Sequence, residues 1–569
     1  MACSLGEGVE ARGVTSVTGF RRVAIAGAGP VGLTLALDLA SRDIEAVLLE
    51  QRHAYEVPSV KCNHISSRTM EIFRRLGIVG PIRNAGLPGK YPNDVAVRTR
   101  ATGFELTRIP IPCREQRYTA TGGPDTDWPT PEPAHRINQI YFEPLLFQRA
   151  AETDGIEILN RTRYESCTQH DDRVVVTARD LETQREITLE CEYLIGCDGG
   201  RSEVRRQIGA KLHGDDVIQR VQSTYFRAPD LIHRIPKPAW MSYLYAPERA
   251  GNLVAIDGQE RWLLHNYLLP HEPDFESVDR DQAIRCLLGV DASFEYELLA
   301  REDWVGRRLI ASTFRDRRVF ICGDAAHLWV PYAGYGMNAG IADAMNLSWM
   351  LAAHLNGWAP AAILDAHEEE RRPTVEEVSL FVAKHAKGAI TERTTLPEDI
   401  EADTPAGAAS RARVGDAAYE LHVQQFACAG LNYGYSYDES PLISYDGEAP
   451  PPWTMRDYTP STVPGCRTPH LWLADGRSLY DAMGSEYTLL RFARDVDVSP
   501  LMTAAAERGV PLTLLDVEAR DGIAPYRHAL LLSRPDFHVA WRGDRLPPDA
   551  GALIDLARGA TTRISPSVV

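Results

Sequence analysis

Three clusters of glycine and carboxylate punctuate the first two thirds of the chain. The first is Gly27-x-Gly29-x-x-Gly32, answered by Glu50 18 residues further on. The second is Asp198-Gly199-Gly200, which runs into Arg205-Arg206. The third is Gly323-Asp324, followed by Pro331, Gly334, Gly336 and the run Met337-Asn338-Ala339. These residue types can hold a phosphorylated ribose ligand. A glycine turn lets the backbone approach a pyrophosphate, a helix start offers unpaired N–H groups, and a carboxylate accepts hydrogen bonds from ribose hydroxyls. The first cluster alone fits FAD and NAD equally.

Each cluster is set between elements that can position it. Val23 to Ala26 is a short apolar run suited to a buried parallel strand, Val31 to Ser41 has helical patterning, and Ala46 to Leu49 is a second strand ending at Glu50. Gly27 permits the tight turn, Gly29 the close approach, and Gly32 the packing of helix on strand; with Pro30 and Glu50 they form the first set of candidate cofactor-binding residues. An apolar strand ends in Asp198-Gly199. Another, Val319 to Cys322, ends in Gly323-Asp324, and a helix starts near Met337. Gly334 and Gly336 allow the backbone to approach a flat ring, and the helix start after them can stabilise negative charge on it.

In this order and at this spacing, the three motifs resemble those of the group A FAD-dependent aromatic hydroxylases, the p-hydroxybenzoate hydroxylase fold. The resemblance covers roughly residues 20–385. It implies FAD as cofactor, NADH or NADPH as co-substrate, and O2 as the source of an inserted oxygen atom, through a C4a-hydroperoxyflavin. It places Asp324 on the ribityl chain, Asp198 at a site serving both nucleotides, and Pro331, Gly336, Met337 and Asn338 around the flavin. Gln139, in Arg136-Ile-Asn-Gln139, matches a glutamine that contacts FAD in relatives. Lys61 falls where many relatives carry an arginine near the FAD phosphates, and keeps the charge without the planar fork.

The ring to be hydroxylated must be electron-rich, so a base or relay is expected beside its hydroxyl. Phenol-hydroxylase-like relatives use an Asp near the FAD. Here that position reads Asn63, so His64 becomes the first candidate base and Tyr243 the second, with Tyr225 and His265 behind them. Val221 to Phe226, Met241 to Tyr245, Leu253 to Ile256 and Trp262 to Leu268 read as antiparallel strands roofing the substrate. Residues 113–135, polar and rich in Pro and Gly, read as a lid or access loop.

Further on, Val463-Pro-Gly-Cys-Arg467-Thr-Pro469-His470 and Leu471-Trp-Leu-Ala-Asp475-Gly476 resemble the thioredoxin-like C-terminal domain of phenol hydroxylase, 2,4-dichlorophenol 6-monooxygenase and the polyketide-tailoring hydroxylases. Ten cysteines occur without any C-x-x-C pair, so dithiol redox chemistry is not expected there. A second GxGxxG unit, a redox cysteine pair and a W-x-W-x-I-P segment are all absent, which argues against a reductase or halogenase plan. The expected class is α/β: a Rossmann-like FAD-binding domain, an interleaved antiparallel β substrate domain, and a C-terminal thioredoxin-like domain. The expected division is a flexible leader over 1–20; a discontinuous FAD-binding domain over 21–85, 136–215 and 305–385; a substrate sheet and lid over 86–135 and 216–304; a helical connection over 386–460; and the C-terminal domain over 461–569.

The formal net charge of −17 argues against nucleic acid or an anionic membrane as partner. No apolar run reaches membrane-spanning length, no cysteine and histidine cluster has zinc spacing, and no metal is expected. The expected partners are a small aromatic substrate (a phenol, hydroxypyridine or polyketide) and further copies of the chain in a homo-oligomer, in the cytoplasm. Two alternatives stay open: Baeyer–Villiger or epoxidising chemistry on the same fold, and a flavin-binding or ligand-sequestering protein without turnover.

Overall fold

The computed structural model describes residues 15–561. Its first sheet has eight strands. Four central strands run parallel: Val319–Ile321, Glu186–Gly196, Thr15–Ala26 and Ala46–Leu49, with Ile156–Leu159 beyond them. The register is what matters for the site. Ala26 lies beside Gly196 and Leu49, and Gly196 beside Ile321. The three motifs therefore leave the sheet side by side, at the carboxyl ends of adjacent parallel strands, where open α/β sheets bind their ligands.

Two helices cover one face of this sheet. Pro30–Ala40 follows the first glycine turn, and Tyr335–Leu355 follows the third motif. They pack together along small residues; Gly340 comes so close to Gly323 that a Cβ there would sit 2.8 Å from the Gly323 Cα. The first strand begins earlier than the expected leader allows: Thr15 already pairs with Ile187, and only residues 1–14 of the leader lie outside the described residues.

The second sheet has nine strands. Its centre is Leu212–Arg227, Arg261–Tyr267, Ala250–Ala255 and Met241–Tyr245, paired antiparallel as expected. One junction departs from that expectation, because Met241–Tyr245 runs parallel to Val95–Arg98. His327–Trp329, from the third motif, joins the opposite edge and so ties the two sheets together. One face packs on the helix Arg280–Leu288, where Leu287 meets Gly251. On the other face Tyr243 and Tyr245 meet His422, at the end of the helix Pro405–His422.

The expected lid is anchored rather than free. Arg117 and Arg136 both pair with the buried Asp125, and Arg83 and Arg74 both pair with the buried Glu132. Its polar composition reflects buried ion pairs as much as solvent exposure. The C-terminal sheet has the order Leu512–Asp516, Tyr487–Arg491, Leu530–Ser533, Val539–Gly543, parallel in its first pair and antiparallel in the rest, with helices Ser499–Glu507 and Ala550–Ala557. That β-α-β unit followed by a hairpin and helix is thioredoxin-like. Among the described residues no helix is long and apolar enough to cross a membrane.

Candidate active site

The first turn is built for close approach. Gly27 has φ +100, and a Cβ on it would collide with the Cys197 carbonyl; a Cβ on Gly32 would collide with the Gly27 carbonyl. Gly29 has nothing within 4 Å of where its Cβ would stand. It caps the helix with extended backbone and no side-chain bond, and Pro30 follows at the first helical position. The open side of Gly29 faces a cleft of about 600 Å³ lined by Gly27, Glu50, Asp198, Gly199 and Arg201. Glu50 accepts hydrogen bonds from the N–H groups of Ala28 (2.9 Å) and Arg52 (3.0 Å). Burial alone would raise its pKa, but the bonds and charge of Arg52 hold it below the ordinary value, so it stays an acceptor.

The other two carboxylates have the character of residues on the wall of an internal cleft. Asp198 accepts from the N–H groups of Glu203 (2.7 Å) and Val204 (3.1 Å) through Oδ2, while its Oδ1 is buried with no partner. Asp324 is exposed yet crowded by protein, and desolvation raises its pKa against the lowering by His327 and Lys61. Glycines that admit no Cβ, an orphaned carboxylate oxygen and an exposed but crowded acid together fit a dinucleotide with two ribose-like chains.

Behind Asp324 lies a network that the sequence reading missed. Asp343 accepts from the Gly323 N–H (3.1 Å), His327 Nε2 (2.7 Å) and Arg371 Nε (2.9 Å). Burial opposes its charge, but His327 and Arg371 hold its pKa well below the carboxylate range. The available signal was a lone acid in the apolar run Gly340 to Met350, since a buried carboxylate demands partners.

Several expected contacts have other occupations. Asn338 accepts from the Ser66 N–H (2.9 Å) and donates to the carbonyls of Gly334 (2.6 Å) and His64 (3.2 Å), latching the glycine loop to the His64–Ile65 strand. Met337 packs into the apolar core. Pro331 is exposed, and a Cβ on Gly336 would stand 3.3 Å from the Trp329 indole nitrogen, whose N–H is buried without a partner. Gln139 donates to Glu143 and its N–H to the Cys62 carbonyl (2.8 Å); Lys61 is exposed on the same side as Asp324. Asn63 is tied to Asn138 and to the Lys61 carbonyl.

His64 is not the free base that the sequence suggested. Its Nδ1 is engaged by the Arg136 guanidinium, and burial, then the charges of Arg136 and Arg117, push its pKa well below the ordinary value. Tyr243 is stacked on His422 at 4.3 Å with its hydroxyl on Gln425 (3.1 Å), and burial pushes its pKa up. Tyr243 lies on the face of the second sheet that turns away from the helix Arg280–Leu288. Val97, Tyr243, Asn252, His265 and Ser223 form one row across five strands, and paired residues share a face. In that row Asn252 Oδ1 and His265 Nδ1 are buried without partners. Tyr332, from the glycine loop, stands near Tyr243 and Tyr267 of that face.

Residues 21–382 match the FAD binding domain family, and residues 461–561 match the aromatic-ring hydroxylase C-terminal domain. The FAD-dependent monooxygenase apdD of Emericella nidulans is 30% identical, covering 94% of this chain and 90% of its own. Phenol 2-monooxygenase of Pseudomonas sp. (strain EST1001) is 26% identical, covering 96% of this chain and 94% of its own. The rebeccamycin biosynthetic enzyme RebC, solved with reduced flavin, superposes with a TM-score of 0.86 at 34% identity, covering 96% of this chain and 100% of that one. The chain belongs to the FAD-dependent aromatic-ring hydroxylases, monooxygenases that join an FAD-binding domain to a thioredoxin-like C-terminal domain.

Proposed function

We propose that this chain hydroxylates a phenolic or polycyclic aromatic substrate held under the second sheet, with FAD in the cleft at the carboxyl ends of the first. Bound there, FAD carries two electrons from NADH or NADPH and activates O2, so that substrate, O2, NAD(P)H and a proton give hydroxylated product, NAD(P)+ and water. The chain's own residues do the rest. Gly27, Gly29 and the helix behind Pro30 receive the pyrophosphate, Glu50 the ribose, and Asp198 and Asp324 the chain leading to the ring. Asn338 fixes the glycine loop on which the ring rests, so its role is to position that backbone rather than to touch the cofactor. His265 and Asn252, as unpartnered neutral acceptors, receive the substrate hydroxyl; burial keeps His265 neutral, with its pKa lowered to about 4. The named relatives, one of them acting on phenol, support this substrate range. No cysteine among the described residues is paired in a disulfide, which agrees with a cytoplasmic setting.

The observation that carries the reading is Asp324: an exposed carboxylate at the end of a central strand, crowded by protein and backed by the Asp343 network. Asp324→Ala is expected to fold and to purify with little FAD, read by the flavin absorbance after denaturation. Full occupancy in that variant removes Asp324 from the cofactor site.

A further inference from the structure

Cys197 and Cys322 are far apart in sequence and adjacent in the fold. Glu186–Gly196 and Val319–Ile321 run parallel with Gly196 beside Ile321, and the next step of that register sets Cys197 beside Cys322. The Cys322 N–H donates to the Gly196 carbonyl (3.0 Å), so the pairing continues to the end of both strands. Both side chains fall on one face of the sheet. Ile195, Phe320 and Cys322 belong to the same apolar core, and Cys197 packs against it. Cys322 is buried, whereas Cys197 is half-buried and borders the cofactor cleft. Contact with the Cys197 thiol, and then burial, holds the Cys322 thiol well above its ordinary pKa.

Two thiols set this way can form one bond. Cα atoms paired across adjacent strands stand about 4.8 Å apart, within the range of about 4.4–6.8 Å that a disulfide bridges. The Cβ separation in a disulfide is about 3.8 Å, so closing it draws the strand ends together by about 1 Å. Those ends carry the cofactor carboxylates: Asp198 follows Cys197 directly, and Gly323-Asp324 follows Cys322. The Cys197 carbonyl also abuts Gly27 of the first turn. A shift here moves all three cofactor motifs against one another.

We propose that Cys197 and Cys322 are an oxidation site, closed to a disulfide by hydrogen peroxide, and that the closed form releases FAD. Hydrogen peroxide forms when a flavin monooxygenase consumes NAD(P)H and O2 without hydroxylating its substrate, so the oxidant arises in the same protein. Cys197 gives up its proton and its sulfur attacks one peroxide oxygen. The O–O bond breaks, leaving a sulfenic acid on Cys197 and, with that proton, one water. The Cys322 sulfur then attacks the Cys197 sulfur, the S–O bond breaks, and the hydroxyl leaves with the Cys322 proton as a second water. Two thiols together lose two electrons, and one peroxide takes them up. The release of FAD rests on the proposed cofactor cleft; the sulfur–sulfur bond does not.

The test treats the FAD-loaded full chain with a small molar excess of hydrogen peroxide. Free thiols are then blocked with iodoacetamide in denaturant, and the digest is mapped by mass spectrometry. A peptide pair joined through Cys197 and Cys322, lighter than the two free peptides by two hydrogen atoms, is expected. Gel filtration of the same sample should separate most of the flavin absorbance from the protein, and dithiothreitol with added FAD should return it. Cys197→Ser and Cys322→Ala, each alone, should keep their FAD through the same treatment. Absence of the joined peptides, or oxidation of Cys197 only as far as a sulfinic or sulfonic acid, overturns the proposal. A crosslinked chain that keeps its FAD, or a loss of FAD that neither variant prevents, overturns it as well. The joined peptides are read without turnover, so their absence leaves the proposed hydroxylation standing.

Discussion

Arg534 and Arg393 are both buried guanidinium groups, and they solve opposite problems. Arg534, in the C-terminal domain, reaches across to the long helix and places its Nη groups on Glu370 (2.6 and 2.8 Å) and Asp536 (2.8 Å), with arginine and glutamate both fully buried. Arg393 rests on a tyrosine, an amide and a ring. The first arrangement is complete in the protein alone and welds two domains. The second is met by neutral partners alone. Arg205 shows a third arrangement, buried with only the Gly200 and Ala325 carbonyls as partners of its guanidinium among the described residues.

Stability separates the two most sharply. Arg534→Met strands Glu370 and Asp536 in the core, and should cost about 3–5 kcal/mol in urea denaturation. Arg393→Met strands no carboxylate, and its cost should stay within about 2 kcal/mol, the scale of its two lost hydrogen bonds. Equal losses in the two variants would break the distinction.

Acid provides a finer comparison. Burial lowers the pKa of His265 to about 4 and of His367 and His385 to about 3. For His538, burial outweighs the pull of Asp536 and also leaves it at about 3. A histidine with a depressed native pKa binds its proton first in the unfolded chain. Stability is therefore intact above pH 6.5 and falls as pH drops toward the native values, by about 1.4 kcal/mol per pH unit for each such group. Replacing His265 by Leu should remove one such share of the slope between pH 6.5 and 4 without altering the shares of His367 and His538, read from urea midpoints across pH. A slope unchanged by that replacement means that His265 takes its proton in the native protein.

The two regions also differ in how legible they were. The cofactor motifs could be read because glycine and carboxylate at strand ends are local signals: Gly27, Gly29, Asp198 and Asp324 stand where their neighbours in sequence put them. The proposed substrate site draws on residues 243, 252 and 265, brought together by strand pairing, and on 332 from the glycine loop. No local pattern announces that meeting. His64 looked like a base because it stands next to Asn63; only the fold shows Arg136, 72 residues away, engaging its ring. The leader boundary failed because residues 15–20 lack the apolar patterning of a strand, whereas their pairing with the second motif's strand is made through the backbone. The anchoring of residues 113–135 was not legible because its charges are partners of one another and of helices distant in sequence.

The most direct test of the whole account follows the oxygen. The FAD-loaded chain, supplied with NADH or NADPH, a panel of phenolic and polycyclic aromatic substrates and isotopically labelled dioxygen in unlabelled water, should form from at least one of them a product carrying one labelled oxygen atom, matched to the NAD(P)H consumed. NAD(P)H loss with only hydrogen peroxide formed, or product oxygen drawn from water, would contradict the assignment of this site to aromatic hydroxylation.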